Sequence, residues 1–381
     1  MTAVQAVVAM GTFALSVLAP QLGVDVQALG MLGSVLFSIG ALSSLAAGWL
    51  IRRLGDLQLA AYCMLAVMLA MLCLTGDAMG LGPPRWSLWP AVFLLGLAFG
   101  PETPASASVL VRVTPLARRP WIFSVRQTGN QIGAMAGSLV LPILWVQHAA
   151  WPFVLVALLG LCVALWCMSL VQRHGTSAAT SASIGSTPIS GLVAVLASPQ
   201  LRLLTITMLV YMSTQVCLNL FLMSHAVHQW QLPIAIAGGW VALMQAAGMA
   251  GRLLWGRVIQ QSGFSTMLLL GGLGLMMGTS GLLLFLWPAT PPSTALAVLL
   301  ILMGLSASGW NGVMVAELAR VAGPQSAGAV TGAVLLFGYS GLALAPLCFC
   351  VVGAALGTSA AFIGLLTLAC IMGAGVLLRR C

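Results

Sequence analysis

The 381-residue chain contains no lysine and only five acidic residues, so its formal charge of +9 comes entirely from 14 arginines. Charged residues amount to 5% of the sequence against 61% hydrophobic, and the mean hydropathy is +1.09. So little charge cannot cover a water-soluble fold of this length, which leaves the lipid bilayer as the solvent. The lack of lysine rules out a Gly-x-x-x-x-Gly-Lys phosphate loop, and with it ATP-driven work through that motif. Sustained period-two alternation is missing, which excludes the strands of a membrane barrel. No histidine falls deep within an apolar run, and no acidic pair does. The nucleophile–base or metal cluster of an intramembrane enzyme is therefore not there, and neither is the filter motif of a channel. The expectation is a non-enzymatic protein without cofactor or metal. The arginines are scattered over separate loop ends instead of gathered on one face, which argues against nucleic acid as a partner.

What is present is apolar length. Runs of about 20 residues, enough to span a bilayer as helix, occupy 3–22, 28–51, 57–75, 88–111, 121–146 and 151–171. A second set occupies 203–224, 234–255, 264–287, 294–318, 327–352 and 359–378. The predicted fold is all-α and polytopic, with twelve transmembrane helices. With a cytoplasmic N-terminus, Arg52, Arg53, Arg118, Arg119, Arg173, Arg257, Arg320, Arg379 and Arg380 fall on the cytoplasmic side, and Arg85 falls outside with Asp25 and Asp77. That asymmetry obeys the positive-inside rule and predicts a multi-pass protein of the bacterial inner membrane with both termini cytoplasmic. The nine cysteines lie almost all inside apolar runs and read as small buried hydrophobes. His225 and His228, just past the seventh run, are expected at the interface, and Trp230 and Trp255 in the aromatic belt.

The stretch after Arg173 is rich in Ser, Thr, Ala and Gly, a linker composition. It divides the chain into residues 1–171, a cytoplasmic linker 172–200, and residues 201–381, each flanking part carrying six runs. The parts also repeat. Gly48 and Gly256, and Gly55 and Gly263, are 208 residues apart; Pro115 and Pro324 are 209 apart, and Pro142 and Pro346 are 204 apart. A parallel duplication of six-helix units, here two pseudo-symmetric bundles, characterises a large class of secondary transporters.

The segment after the second run carries Gly48, Leu50, Arg53 and Gly55 in the spacing Gly-x-Leu-x-x-Arg-x-Gly. In this the chain resembles the major facilitator superfamily, whose loop reads Gly-x-Leu-x-Asp-Arg-x-Gly-Arg-Arg. Arg52 stands where that pattern has aspartate and Asp56 where it has arginine, an order that would keep a charge pair with reversed polarity. The resemblance implies a gating loop of Gly48, Arg52, Arg53, Gly55 and Asp56, with Gly256 and Arg257 as its second copy. The other reading of the arginines is that they only set topology.

Four ionisable residues fall within the runs, where each costs at least ~2.5–3.5 kcal/mol unless paired, wet or functional. Glu102 lies between Pro101 and Pro104 in the fourth run. It reads as a proton-coupling site or as a structural partner of Arg126. Arg126 opens the polar stretch Arg126-Gln127-Thr128-Gly129-Asn130-Gln131, whose glycines at 129, 133 and 137 permit close helix approach. This stretch resembles a fifth-span pattern of small-solute facilitators, and Arg126, Gln127 and Asn130 become candidate substrate ligands, a guanidinium fork being suited to a carboxylate. Snorkelling is the other reading of Arg126. Arg252, four residues before Gly256, resembles an anion-linked arginine of monocarboxylate porters, although Gly248 stands where those have aspartate; it too is open to snorkelling. Glu317 is expected to pair with Arg320 at i+3. Asn311 lies 209 residues beyond Glu102 and is the fifth candidate ligand. The expected function is secondary active transport of a small solute, an organic anion, by alternating access with protons as coupling ion. The expected state is a monomer in the lipid bilayer. The alternatives are proton-coupled efflux of hydrophobic compounds and, in a different class, a non-transporting receptor or intramembrane enzyme.

Overall fold

The computed structural model describes residues 1–115, 118–174, 188–262, 265–287 and 289–379. Much of the expected linker, as well as Gly263 and Arg380, lies outside the described residues. The described chain is helical throughout: α1 (Thr2–Leu18), α2 (Val26–Leu54), α3 (Asp56–Ala78), α4 (Leu88–Val113), α5 (Arg119–Gln147), α6 (Trp151–His174), α7 (Pro188–Ala197), α8 (Pro199–His228), α9 (Ile234–Ser262), α10 (Thr266–Phe285), α11 (Ser293–Ala307), α12 (Trp310–Leu356) and α13 (Thr358–Leu378). Eleven stretches among the described residues are long and apolar enough to cross a membrane, and α1 is a shorter apolar helix of 17 residues. The expected first run ends early because Pro20 has no amide hydrogen to continue the ladder.

Two further departures from the expected elements have local causes. The stretch read as linker contains α7, whose sequence Pro-Ile-Ser-Gly-Leu-Val-Ala-Val-Leu-Ala is apolar enough to bury Val195. The tenth run is interrupted at Ser308–Gly309, where α11 stops and α12 begins, and α12 then continues for 47 residues through the position expected for a loop.

The chain divides into two compact units, Met1–Ala182 with Pro233–Ala242, and Ser183–Leu232 with Leu243–Cys381. The short apolar helix α7 thus goes with the second unit and the first turns of α9 with the first. In unit 1, α1 packs on α5, α2 on α4 and α3 on α6; in unit 2, α8 packs on α12 and α10 on α13. The turn between α2 and α3 is a single residue, Gly55, at φ 90°, a conformation cheap only for glycine, and its N–H still bonds the Ile51 carbonyl at 2.9 Å. At one end of unit 1, Arg85 donates to the Gly23 carbonyl (2.7 Å) and, through its backbone N–H, to Asp77 (3.0 Å), tying the α1–α2 and α3–α4 loops together.

The sequence duplication is written into the packing. A Cβ added to Gly96 of α4 would lie 2.7 Å from the carbonyl oxygen of Leu36 in α2. A Cβ added to Gly304 of α11 would run into the carbonyl oxygen of Met244 in α9. Both residues of that second crossing sit 208 positions after their counterparts. Backbones touch at the same place in both units, which only a hydrogen side chain permits.

Candidate functional site

Two positions the sequence singles out meet in unit 1. Arg126 of α5 donates from Nη2 to both carboxylate oxygens of Glu102 in α4, at 2.7 and 2.8 Å, and to Thr103 Oγ1 at 3.2 Å. Glu102 also accepts from Ser106 Oγ (2.7 Å) and Thr103 Oγ1 (3.1 Å). Both charged residues are only 2% exposed. Helix periodicity explains the meeting. Glu102 lies seven residues after Leu95, on the face of α4 that packs at Gly11 of α1 beside Val67 and Val156. Arg126 shares its face of α5 with Gly129 and Gly133, where an added Cβ would collide with the α1 backbone at Thr2 and Ala6. The pair therefore lies where α1, α4 and α5 come together, and Arg126 does not snorkel.

Desolvating two charges is costly and is offset only when their hydrogen bonds are met. The carboxylate is satisfied four times over, whereas the guanidinium works through one nitrogen: its buried Nε has no hydrogen-bond partner among the described residues. Gln131, fully buried on α5, likewise has neither amide atom bonded among them. Gln127 and Asn130 are half-buried on the same helix. Pro101 and Pro104 both stand inside α4 without ending it.

In unit 2, Arg252 and Asn311 converge on one atom. Arg252 Nε donates to the Ser308 carbonyl at 3.1 Å, and Asn311 Nδ2 donates to the same oxygen at 3.3 Å and to Gln215 Oε1 at 3.3 Å. The reason is the break between α11 and α12. A helix end leaves carbonyls without intrahelical partners, and side chains take them up: Trp255 Nε1 bonds Leu305 O (2.9 Å) and Trp310 Nε1 bonds Ala307 O (2.9 Å). Arg252 is thus held at a helix break, and Trp255 serves as a donor there, not merely as a belt residue. Asn311, the repeat counterpart of Glu102, sits beside a broken helix as Glu102 sits between two prolines. The amides Gln215, and the buried pair Gln245 and Asn219 (2.9 Å), were not singled out in sequence, although amides inside apolar runs were the signal available.

Asp56 does not pair within the loop that carries it. It is 1% exposed and receives Arg112 of α4 through Nη2 (2.9 Å) and Nε (3.2 Å), with Ser108 Oγ at 3.4 Å, all within unit 1. Arg52 and Arg53 are exposed, and Arg53 lies over the Trp49 ring at 4.9 Å. Gly48, Gly256 and Arg257 are exposed as well. Arg112, one residue past the expected end of the fourth run, is the partner that sequence reasoning missed. Glu317 pairs with Arg320 as expected, Nε to Oε2 at 2.9 Å.

His225, in the last turn of α8, is packed inside the protein: it is 3% exposed, its ring set edge-on against Trp230, Phe285 and Phe362, with Nδ1 at 3.0 Å from Thr358 Oγ1. Trp230 is buried in the same cluster, while His228 is exposed. Cys162 and Cys348 are exposed on their helices instead of buried.

A family model described as Major Facilitator Superfamily matches residues 1–346. No curated protein matches the sequence. Among solved structures, a POT family transporter in complex with 5-aminolevulinic acid superposes with TM-score 0.78 at 15% identity, over 99% of this chain and 94% of that one. A POT family transporter with a thioalcohol-conjugated peptide gives 0.79 at 15% identity, over 100% and 94%. A bacterial homologue of the human lysosomal transporter Spinster, inward-facing and occupied, gives 0.74 at 16% identity, over 100% and 95%.

Proposed function

The chain belongs to the major facilitator superfamily, and from that premise we propose that it moves a small organic anion together with a proton through the Glu102–Arg126 pair. That it is a multi-pass membrane transporter and not an enzyme follows from the family and the apolar helices. The anion, the proton and the residues are the proposal. The observation that carries it is the buried pair in which Arg126 leaves its Nε unpartnered.

Empty, the pair is neutral, Arg⁺ against Glu⁻. A proton on Glu102 removes the charge that holds Arg126, and a substrate carboxylate then supplies the missing anion to the guanidinium fork. The loaded site, Arg⁺ with neutral Glu and a monoanion, is again neutral. Neither state leaves a lone charge buried, which would cost several kcal/mol. A proton without the anion, or the anion without the proton, would leave one. That difference is a coupling rule. One structural neighbour is in complex with 5-aminolevulinic acid, which carries the carboxylate group proposed here together with an amine. Gln127 and Asn130 on α5 are proposed as further substrate contacts of unit 1, and Arg252 and Asn311 as substrate-binding residues of unit 2, in a monomer of the bacterial inner membrane working by alternating access.

Proteoliposome transport tests this with a panel of small carboxylates. Glu102→Gln is expected to abolish accumulation driven by a pH gradient while keeping substrate exchange, because the glutamine mimics the protonated acid. Arg126→Ala is expected to abolish both, and Arg126→Lys to weaken binding by about tenfold, since lysine keeps charge but loses the fork. If Glu102 is only a counter-ion, exchange and accumulation fall together in Glu102→Gln and the second change Arg126→Gln restores folding. That result overturns the proposal.

A further inference from the structure

Three helix ends of unit 2, the starts of α8 and α10 and the end of α13, meet the side of α12 around an open cavity of about 380 Å³. Pro199, Gln200 and Leu203 from the start of α8 and Ser265 and Met267 from the start of α10 line it. Arg320 of α12 and Arg379, directly after α13, line it as well. Pro199, Ser265, Met267 and Arg379 lie at the ends of helices apolar enough to cross a membrane, and Arg320 lies near the end of the apolar span Ser293–Ala322.

The charge around this cavity does not balance. Glu317 is the only acidic residue beyond Glu102 in the sequence, and Arg320 occupies both of its oxygens. No acidic side chain is left in the unit for Arg379. Glu317 is fully buried and fixes one edge of the Arg320 guanidinium, while the Arg320 side chain remains 61% exposed. The arginine is thereby oriented yet still open to a second acceptor. Residues from the N-terminal ends of α8 and α10 both line the cavity; Ser198 caps α8 by accepting from Leu201 N, whereas Ser265 does not cap α10 with its own side chain.

We propose that this cavity binds a phosphoryl anion, supplied by an acidic phospholipid headgroup or by free phosphate. Two planar guanidinium forks match the oxygens of a phosphoryl group. Pro199, Leu203 and Met267 give the cavity lining an apolar part, suited to a glycerol or acyl segment. The site is separate from Glu102 and Arg126, so it neither needs nor supports their role in transport.

The test uses the purified full chain in two arms. One measures retention of phosphatidylglycerol by native mass spectrometry after reconstitution into phosphatidylcholine doped with that lipid. The other titrates inorganic phosphate calorimetrically in detergent. Arg379→Gln, an exposed position whose loss leaves no buried charge, is expected to lower affinity about tenfold in whichever arm binds. Arg320→Lys, which keeps a cation on Glu317 but removes the fork, is expected to weaken it as well. Arg118→Gln, an exposed arginine of unit 1, is expected to leave it unchanged. Sensitivity in the lipid arm assigns the site to a headgroup, and sensitivity in the phosphate arm assigns it to the soluble ion. Binding that is absent from both arms, indifferent to Arg379→Gln, or equally reduced by Arg118→Gln overturns the proposal.

Discussion

Asp56 is buried at the first residue of α3, and its charge is met by Arg112 from the last turn of α4. Removing the arginine leaves a desolvated carboxylate, whereas removing both partners leaves none. Arg112→Gln is therefore expected to cost ~2 kcal/mol, less than a fully buried pair because Arg112 is partly exposed, and Asp56→Asn with Arg112→Gln to cost less than the single change. Thermal melts of the three variants in detergent check this; a double variant no more stable than Arg112→Gln would mean that the pair does not set stability. The same residues show what sequence reading can and cannot do. Glu317 and Arg320 are three apart on one helix, so their pairing is legible in spacing alone. Asp56 and Arg112 are 56 residues apart, and nothing in the spacing joins them. Glu102 with Arg126 stands between these cases: rarity inside apolar runs flagged each one, but the bond between them needed helix faces to be placed. The packing of His225 was not legible either, because Phe285 and Phe362, two of the rings around it, come from α10 and α13.

At the scale of elements, apolar length fixes where helices occur, and the observed limits lie close to the expected runs. One exception, the α11–α12 break, is a place where polar backbone is rescued by side chains. The α11–α12 break is tolerated because Trp255, Trp310, Arg252 and Asn311 satisfy its carbonyls. Trp255→Phe keeps an aromatic ring, though a smaller one, and deletes the Nε1 donor, and is expected to cost at least ~1 kcal/mol by thermal melt; no measurable change would mean that the bond does not hold the break. The crossings at Gly96 and Gly304 make a stronger demand. Gly304→Leu would push a side chain into the Met244 carbonyl, and Gly96→Leu into that of Leu36. Both are expected to abolish monodisperse protein in size-exclusion chromatography, while Gly256→Leu, where an added Cβ meets nothing, is expected to leave the elution profile intact.

For the whole molecule, the arginine asymmetry predicts that both termini and the stretch between α6 and α7 face the cytoplasm. A phosphatase reporter fused after α13 should be inactive and a fluorescent one bright; the reverse pattern would refute that orientation. The amino-acid sequence by itself determined the solvent, the helical class, the number of apolar runs and the duplication. Each of these depends on composition or on spacing along the chain, and lipid enforces them without regard to tertiary contacts. It also named Glu102, Arg126, Arg252 and Asn311, because polar groups are conspicuous where burial makes them expensive. Only the tertiary structure decided which of them meet: Glu102 with Arg126, Arg252 with Asn311 at Ser308, and Asp56 with Arg112 rather than with its neighbours. Partner choice in a bundle depends on helix rotation and on approach distance, and both are set by packing at small residues that a linear pattern cannot orient.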